Sequence, residues 1–483
     1  MKTNNNLLLM TDVYKLGHLR MYKPGTTKVY SYLCARSTKK EQKALFFGLQ
    51  PYIKLLEKGV SQEDMEEFMS YYTEILGSAP PADIAEKIQS LVNLGYIPLE
   101  IKAVPEGTVL DNKNVLATVT NTDPRFPWVV GFFESLLLKV WNTTSVATLS
   151  HKFKKLVVER TEKTSDSGFL VPFLVHDFGY RGVSSEQTAE LAGAAHLVNF
   201  AGTDTVPAVK FVKQNYAATG LVGASVPASE HSIHCSFGPT DQDELDYVNN
   251  MMDLNPTGIV SVVSDAYDYW RMLTKTLPAV KDKILAREGK YVVRPDSGDP
   301  KKILCGDPEA PAGSPQSLGT FRLLEETFGA TVNSKGFKEL NPKIGVIYGD
   351  GMYYDRYKDI LDTMEAMGYA NTNLVIGIGG LLLQQHNRDD LGFAFKATYA
   401  EINGVGTELY KDPITDPGKK SHKGLMCLIP KFDENHKQIG YQTMDQVTWE
   451  LESSKLNSLQ TVFLNGKVTK EYTLEEIRNR SME

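Results

Sequence analysis

The residues with the most chemical capacity lie in seven polar knots between positions 171 and 384, each following a short apolar, β-like run: VPFLVHDFGYRG, AHLVNFAGTDT, GLVGASVPASEHS, GIVSVVSDAYD, KYVVRPDSGDP, KIGVIYGDG and NLVIGIGG. In Arg294-Pro295-Asp296-Ser297-Gly298 a guanidinium and a carboxylate stand together after the run Tyr291-Val292-Val293. That pair suits a phosphorylated sugar, the carboxylate accepting from ribose hydroxyls and the guanidinium forking onto anionic oxygen. It suits a structural ion pair at a turn equally well. Gly349-Asp350-Gly351 and the glycines Gly377, Gly379 and Gly380 read either as tight turns or as loops whose N–H groups approach a phosphate closely.

His176-Asp177-Phe178-Gly179-Tyr180-Arg181-Gly182 brings a flat aromatic, a cation and a histidine into one turn. Phe178 can stack on a heteroaromatic ring and Arg181 can bind phosphate, or the two are core aromatic and surface charge. In Ser229-Glu230-His231-Ser232-Ile233-His234 the His-x-x-His spacing permits metal ligation but lacks an evident third ligand, and a single His beside Glu230 permits acid, base or nucleophilic work. A structural histidine is the plain alternative. Asp204, Ser264 and Asp268 supply the remaining polar atoms. A carboxylate facing an aromatic base accepts a hydrogen bond from an amide and repels a carboxylate.

A β-run followed by turn chemistry and a helical stretch is the unit of a parallel α/β sheet or barrel, which gathers its sites at the strands' C-terminal ends. The knots are therefore expected to converge. Outside them the βα alternation disappears. Leu45 to Glu57, Gln62 to Leu76 and Ile84 to Leu94 have helical spacing, and Val29 to Leu33, Leu99 to Val104, Phe393 to Glu401 and Thr461 to Tyr472 suggest strands, with Asn465-Gly466 as a hairpin signal. The apolar stretch Trp128 to Trp141 reads as a buried helix, and Asp307 to Gly319, rich in Pro, Gly and Ser, as a surface loop. The expected partition is a central α/β barrel domain, 166–384, inserted into an α+β domain built from 1–165 and 385–483.

Composition narrows the class. Hydrophobic content of 42% and charge of 23% are those of a globular protein, and a net charge of −7 argues against nucleic-acid binding. Any anionic ligand then needs a local cluster of Lys and Arg. Four dispersed cysteines suggest neither a disulfide framework nor a zinc knuckle, and no signal-peptide core or membrane span is apparent. The expectation is a cytoplasmic protein.

Taken in order, HDFGYRGVSS, GTDTV, SVPASEHS, VSVVSDAYD, RPDSG, GDG and TVFLNGKVTKEY resemble the nicotinamide phosphoribosyltransferase family, as do LMTDVYK near the start, FGLQ, KAVPEG, NTDP and Glu476-Ile477-Arg478. The resemblance covers nearly the whole chain. It implies a type II phosphoribosyltransferase fold, an irregular TIM-like α/β barrel beside an α+β domain, in a head-to-tail homodimer with two interfacial active sites. It implies transfer of phosphoribosyl from 5-phosphoribosyl-1-pyrophosphate to nicotinamide, giving nicotinamide mononucleotide and pyrophosphate in NAD salvage.

By the same resemblance, Phe178 and the neighbouring subunit's Tyr14 sandwich the nicotinamide ring. Asp204 accepts from its carboxamide, Ser264 and Arg294 lie on the carboxamide oxygen side, and Asp296 holds the ribose. Gly349, Asp350, Gly379 and Gly380 cradle the 5′-phosphate, while Arg181 and, across the dimer, Arg36, Arg388, Lys396 and Lys411 meet the pyrophosphate with Mg²⁺. His231 is the histidine phosphorylated by ATP, with Glu230 and Asp268 beside it. The chain departs from the family pattern at Ile378, Leu381 and Ala394 and in a shorter loop between Lys39 and Phe46. Two alternatives remain, a nicotinate phosphoribosyltransferase and a non-catalytic binding homologue.

Overall fold

A computed structural model describes residues 6–37, 39–415 and 419–482, which form two compact units. One unit comprises Leu149–Phe211 and Thr219–Gln385; the other comprises the chain up to Thr148, Val212–Ala218 and everything from His386 onward.

The first of these carries all seven knots. Five of the apolar runs form parallel strands: β1 (Val175–Asp177), β2 (Thr257–Val263), β3 (Glu288–Arg294), β4 (Ile344–Tyr348) and β5 (Leu374–Ile378), in the order β1-β5-β4-β3-β2. Every residue of β4 is buried, as expected of a strand covered on both faces. The other two runs are not strands. Residues 201–203 and 224–228 join the sheet through single parallel bridges, Asp177 with Thr203, Gly202 with Ala224, and Ala228 with Ser261, which carry the curl from β1 round to β2.

The reason is local. The run AHLVNF ends the helix Glu186–Leu197 and leaves only a few residues to pair. GLVGASVPASEHS contains Gly220, Gly223 and Pro227, and Pro227 has no N–H to donate, although its carbonyl accepts from Ser261 N at 2.9 Å. The stretch 307–319 is only partly loop, because the helix Pro315–Phe328 starts inside it, with Ser314 as its side-chain cap and a non-helical residue at Gly319.

The other unit is built on a seven-stranded sheet in the order Val405–Glu408, Phe393–Ile402, Thr26–Ala35, Val115–Asn121, Leu99–Ala103, Gln460–Leu464 and Lys467–Val468. Each neighbouring pair is antiparallel, and both chain ends contribute. Asn465 (φ 50°) and Gly466 (φ 78°) supply the two left-handed residues that a tight hairpin turn requires. The helix expected from Leu45 starts instead at Gln50, since Lys43–Leu45 pairs with Val109–Asp111. The Trp128 segment is interrupted at Phe133 into the helices Trp128–Phe132 and Glu134–Leu137.

FGLQ and KAVPEG meet at one buried carboxylate. Glu106, 2% exposed, accepts from Gly48 N (2.9 Å), Gln50 N (2.6 Å) and the Tyr216 hydroxyl (2.9 Å). Burial pushes its pKa up against these donors. Glu106→Ala strands three donors at once, so we expect a loss of ~3 kcal/mol, with Glu106→Gln intermediate. Calorimetric unfolding midpoints of the two variants against the parent check this, and an unchanged midpoint for the alanine variant refutes it.

Candidate active site

The strand ends of the barrel unit assemble a floor, a wall and an anchored loop. Phe178 follows β1 directly, and its backbone N–H donates to Ile378 O at 2.9 Å. Its ring packs closely against glycine: a Cβ on Gly377 would fall 2.0 Å from Phe178 Cδ2 and Cε2, and one on Gly349 would fall 3.2 Å from Cε2. Gly377 therefore seats an aromatic ring, and the phosphate-loop reading of that glycine gives way to this contact. Gly182 and Gly380 pack backbone against backbone, and a Cβ on Gly182 would lie 3.0 Å from Gly380 N, a tight contact. Gly380 opens the short helix Gly380–Leu383, with Gly379 preceding it.

Beside the Phe178 ring stands an ionised carboxylate. The His176 and Phe178 rings are 4.8 Å apart, and His176 Nε2 lies 3.4 Å from Asp204 Oδ1. The Ser225 hydroxyl donates to the same oxygen. Burial raises the Asp204 pKa, but His176, Ser225 and the more distant Arg294 outweigh it, and the group stays below the ordinary carboxylate value. Asp177, fully buried behind this wall, accepts from Gly179 N at 2.7 Å and the Thr203 hydroxyl at 3.2 Å, fixing the turn that presents Phe178.

The Arg-Pro-Asp-Ser-Gly loop after β3 is anchored by Asp265, which was not among the sequence candidates. The Asp265 side chain is 2% exposed and accepts from Asp296 N (2.9 Å) and the Ser297 hydroxyl (2.5 Å) through Oδ2, while Oδ1 lies 3.1 Å from His231 Nε2. Tyr348 Oη, at the end of β4, donates to Ser297 O at 3.0 Å and Gly298 O at 3.1 Å. Asp296 is half-buried near Gly349; burial chiefly raises its pKa, Arg294 and His231 lower it, and Asp265 and Asp350 add to the rise.

The acids expected beside His231 bond to other groups in this structure. Glu230 accepts from the Ser232 hydroxyl, and Asp268 caps the helix Tyr269–Arg271 by accepting from Trp270 N (3.0 Å) and Arg271 N (3.1 Å). A sequence signal for Asp265 existed: it stands two residues beyond the last residue of β2, at the strand's C-terminal rim, whereas Asp268 begins a helix and suits an N-cap. His234 is buried and stacked on Tyr247, with centroids 4.2 Å apart and planes at 9°, so the His-x-x-His pair does not face one point. Ser264 is buried with its hydroxyl donating to Val262 O at 2.8 Å, and Arg181 is exposed.

In the other unit, Tyr14 is 62% exposed in the short helix Val13–Leu16, with Lys15 Nζ 5.8 Å from its ring centroid. Arg36, Lys411 and Arg388 all bear electrostatically on Lys396. Lys396 is half-buried in the strand Phe393–Ile402, and its pKa is lowered by burial first and then by Arg36, Lys411 and Arg388, against the opposing pull of Glu134. Arg36 Nε also donates to Gly392 O at 3.2 Å, and Arg388 pairs with Asp389 at 2.9 Å.

Solved structures place this architecture in a class. The chain superimposes on nicotinate-nucleotide pyrophosphorylase from Pyrococcus furiosus with a TM-score of 0.59 and 16% identity over 100% of this chain and 96% of that one. Human nicotinic acid phosphoribosyltransferase gives 0.60 and 15% identity over 98% and 93%. The fold is that of the type II phosphoribosyltransferases. A profile described as the nicotinate phosphoribosyltransferase (NAPRTase) family matches residues 173–467, and one described as the nicotinamide phosphoribosyltransferase N-terminal domain matches residues 6–83.

Proteins named nicotinamide phosphoribosyltransferase from Acinetobacter baylyi and Xanthomonas campestris pv. campestris are each 39% identical to the chain, over 98% of its length and 97% of theirs. One from Mycoplasma pneumoniae is 31% identical over 86% and 94%. The chain belongs to the nicotinamide phosphoribosyltransferase family, and it is a phosphoribosyltransferase enzyme. No helix among the described residues is long and apolar enough to cross a membrane.

The seat of Phe178 yields a direct test. Gly377→Ala forces the ring off its floor and should raise the Michaelis constant for the aromatic substrate by about tenfold or more, the scale of overpacking in a close-packed site. Steady-state titration of that substrate measures it, and an unchanged constant removes Phe178 as the stacking surface.

Proposed function

We propose that the enzyme transfers the phosphoribosyl group of 5-phosphoribosyl-1-pyrophosphate to the ring nitrogen of nicotinamide, releasing pyrophosphate and forming nicotinamide mononucleotide for NAD salvage. The observation that carries the reading is the ionised Asp204 beside the flat Phe178 ring. A carboxamide N–H₂ donates to that carboxylate, whereas nicotinate meets it with like charge. This argues against the nicotinate reading, and the intact Arg294, Asp296 and His231 argue against a non-catalytic homologue.

In the proposed reaction Phe178 stacks on the pyridine ring, with Tyr14 of a second copy on its other face in a homodimer; the exposure of Tyr14 is in keeping with that. Asp296 accepts from ribose hydroxyls, Arg294 and Ser264 lie toward the carboxamide oxygen, and Gly349, Asp350, Gly379 and Gly380 offer backbone N–H groups to the 5′-phosphate. The C1–oxygen bond to pyrophosphate breaks as the pyridine nitrogen bonds to C1, so positioning and stabilisation of the leaving charge carry most of the rate. Arg181, Arg36, Arg388, Lys396 and Lys411 are the cations for that charge. Mg²⁺ is carried mainly on the pyrophosphate oxygens in this reading, its usual ligands.

ATP is proposed as co-substrate and activator at His231. A carboxylate only accepts, so Asp265 fixes the proton on His231 Nε2 and leaves Nδ1 the lone pair to take the γ-phosphoryl group, with ADP departing.

Incubation with nicotinamide or nicotinate, 5-phosphoribosyl-1-pyrophosphate, Mg²⁺ and ATP should yield nicotinamide mononucleotide far faster than its acid. Asp204→Asn should reduce the nicotinamide-to-nicotinate ratio of kcat/KM by about tenfold or more, the scale of one charge repulsion. An unchanged ratio overturns the discrimination argument. His231→Ala should abolish stimulation by ATP while leaving the ATP-independent rate measurable, and full stimulation of that variant refutes the assignment.

A further inference from the structure

We infer that His422 is the positioning residue that holds Lys411 within the cation cluster. The inference rests on the pyrophosphate reading of that cluster and adds the group that maintains it. Four like charges repel one another, and Lys411 lies outside any helix or strand, so its place depends on what pins its backbone. The pin is Ser421: Lys411 N donates to Ser421 Oγ at 2.9 Å, and Ser421 N donates to Lys411 O at 2.9 Å.

Ser421 is held in turn by its neighbour. His422 Nδ1 lies 3.0 Å from Asp445 Oδ2, Nε2 lies 3.4 Å from Lys113 O, and the His422 N–H donates to Tyr32 Oη at 3.4 Å. The ring meets that of Tyr32 edge-on, with centroids 5.4 Å apart.

Those contacts lead to the other cations. Tyr32 is the register partner of Lys396 in the sheet. Lys113 N donates to Ala35 O at 2.6 Å, one residue before Arg36, and Asn112 Nδ2 in the same turn donates to Ser37 O at 2.6 Å, one residue after it. Lys113 holds φ at 81°, a left-handed conformation that a non-glycine residue keeps only when its surroundings enforce it. His422 thus reaches Lys411 through Ser421, Lys396 through Tyr32, and Arg36 through Lys113 and Ala35. It touches none of the reacting atoms; its effect passes through the placement of Lys411.

The test compares His422→Ala, His422→Asn and Lys411→Ala in the full-length enzyme. His422→Ala should raise the Michaelis constant for 5-phosphoribosyl-1-pyrophosphate about fivefold, the scale of one ordinary lost hydrogen bond, with kcat and the constant for nicotinamide within about twofold of the parent. His422→Asn, whose amide nitrogen can replace Nδ1 at Asp445, should recover most of the effect. Lys411→Ala should raise the same constant at least as much. If Lys411→Ala leaves it unchanged, the cluster reading falls and this inference with it. If Lys411→Ala raises it while His422→Ala does not, or His422→Ala depresses every parameter together with the unfolding midpoint, the inference about His422 alone is overturned.

Discussion

The barrel's chemistry depends on how Asp265 is satisfied. A carboxylate with a 2% exposed side chain has given up nearly all its water, and fixed donors must replace that water. The donors here come from two different strand-end loops, Asp296 N and the Ser297 hydroxyl from one and His231 Nε2 from the other. The loop proposed to hold ribose and the histidine proposed to carry phosphate therefore cannot move independently. Phosphorylation at Nδ1 changes the charge of the ring facing Asp265, and the same oxygen pair supports the Asp296 backbone. In the proposed reaction this is the physical route by which ATP chemistry reaches the phosphoribosyl site.

The aromatic seat obeys a second constraint, that of space. Phe178 fits because Gly377 and Gly349 present bare backbone, and the turn that delivers it is fixed by Asp177, whose own burial is offset by Gly179 N and Thr203. Asp204 is kept ionised at the edge of that seat by His176, Ser225 and the distant Arg294. Shape here accepts any flat heteroaromatic ring. In the proposed reaction the choice between an amide and an acid falls to a single charge.

Much of this was legible in the sequence because the β-run and its polar knot are adjacent in the chain. The convergence of Phe178, Asp204, Arg294, Asp296 and the glycine loops follows from strand ends alone. What stayed hidden was pairing across loops. Asp265 is separated from His231 by 34 positions, while Glu230 adjoins it, and the nearer acid is bonded to Ser232 instead. Two apolar runs read as strands in the sequence because single-bridge pairing leaves the same short hydrophobic signature as a ladder; Gly223 and Pro227 are the marks against it. Gly377 resembled a phosphate loop since the residue it accommodates lies almost 200 positions earlier.

The α+β unit poses the opposite electrostatic problem. Lys396 is half-buried with Arg36, Arg388 and Lys411 acting on it and Glu134 pulling the other way, so like charges oppose one another there. Such an arrangement is unfavourable until an anion arrives, and a polyanion such as pyrophosphate relieves more of the repulsion than a single phosphate can. The sheet can bear that cost because Lys396 is anchored by its ladder to Thr26–Ala35, and Arg36 follows the end of the same strand. Lys411 has no ladder of its own. A cation cluster assembled partly from a strand and partly from an irregular segment is only as ordered as the contacts that tie the segment down, and those contacts, Ser421 and His422 with Asp445, lie outside every motif that carries chemistry.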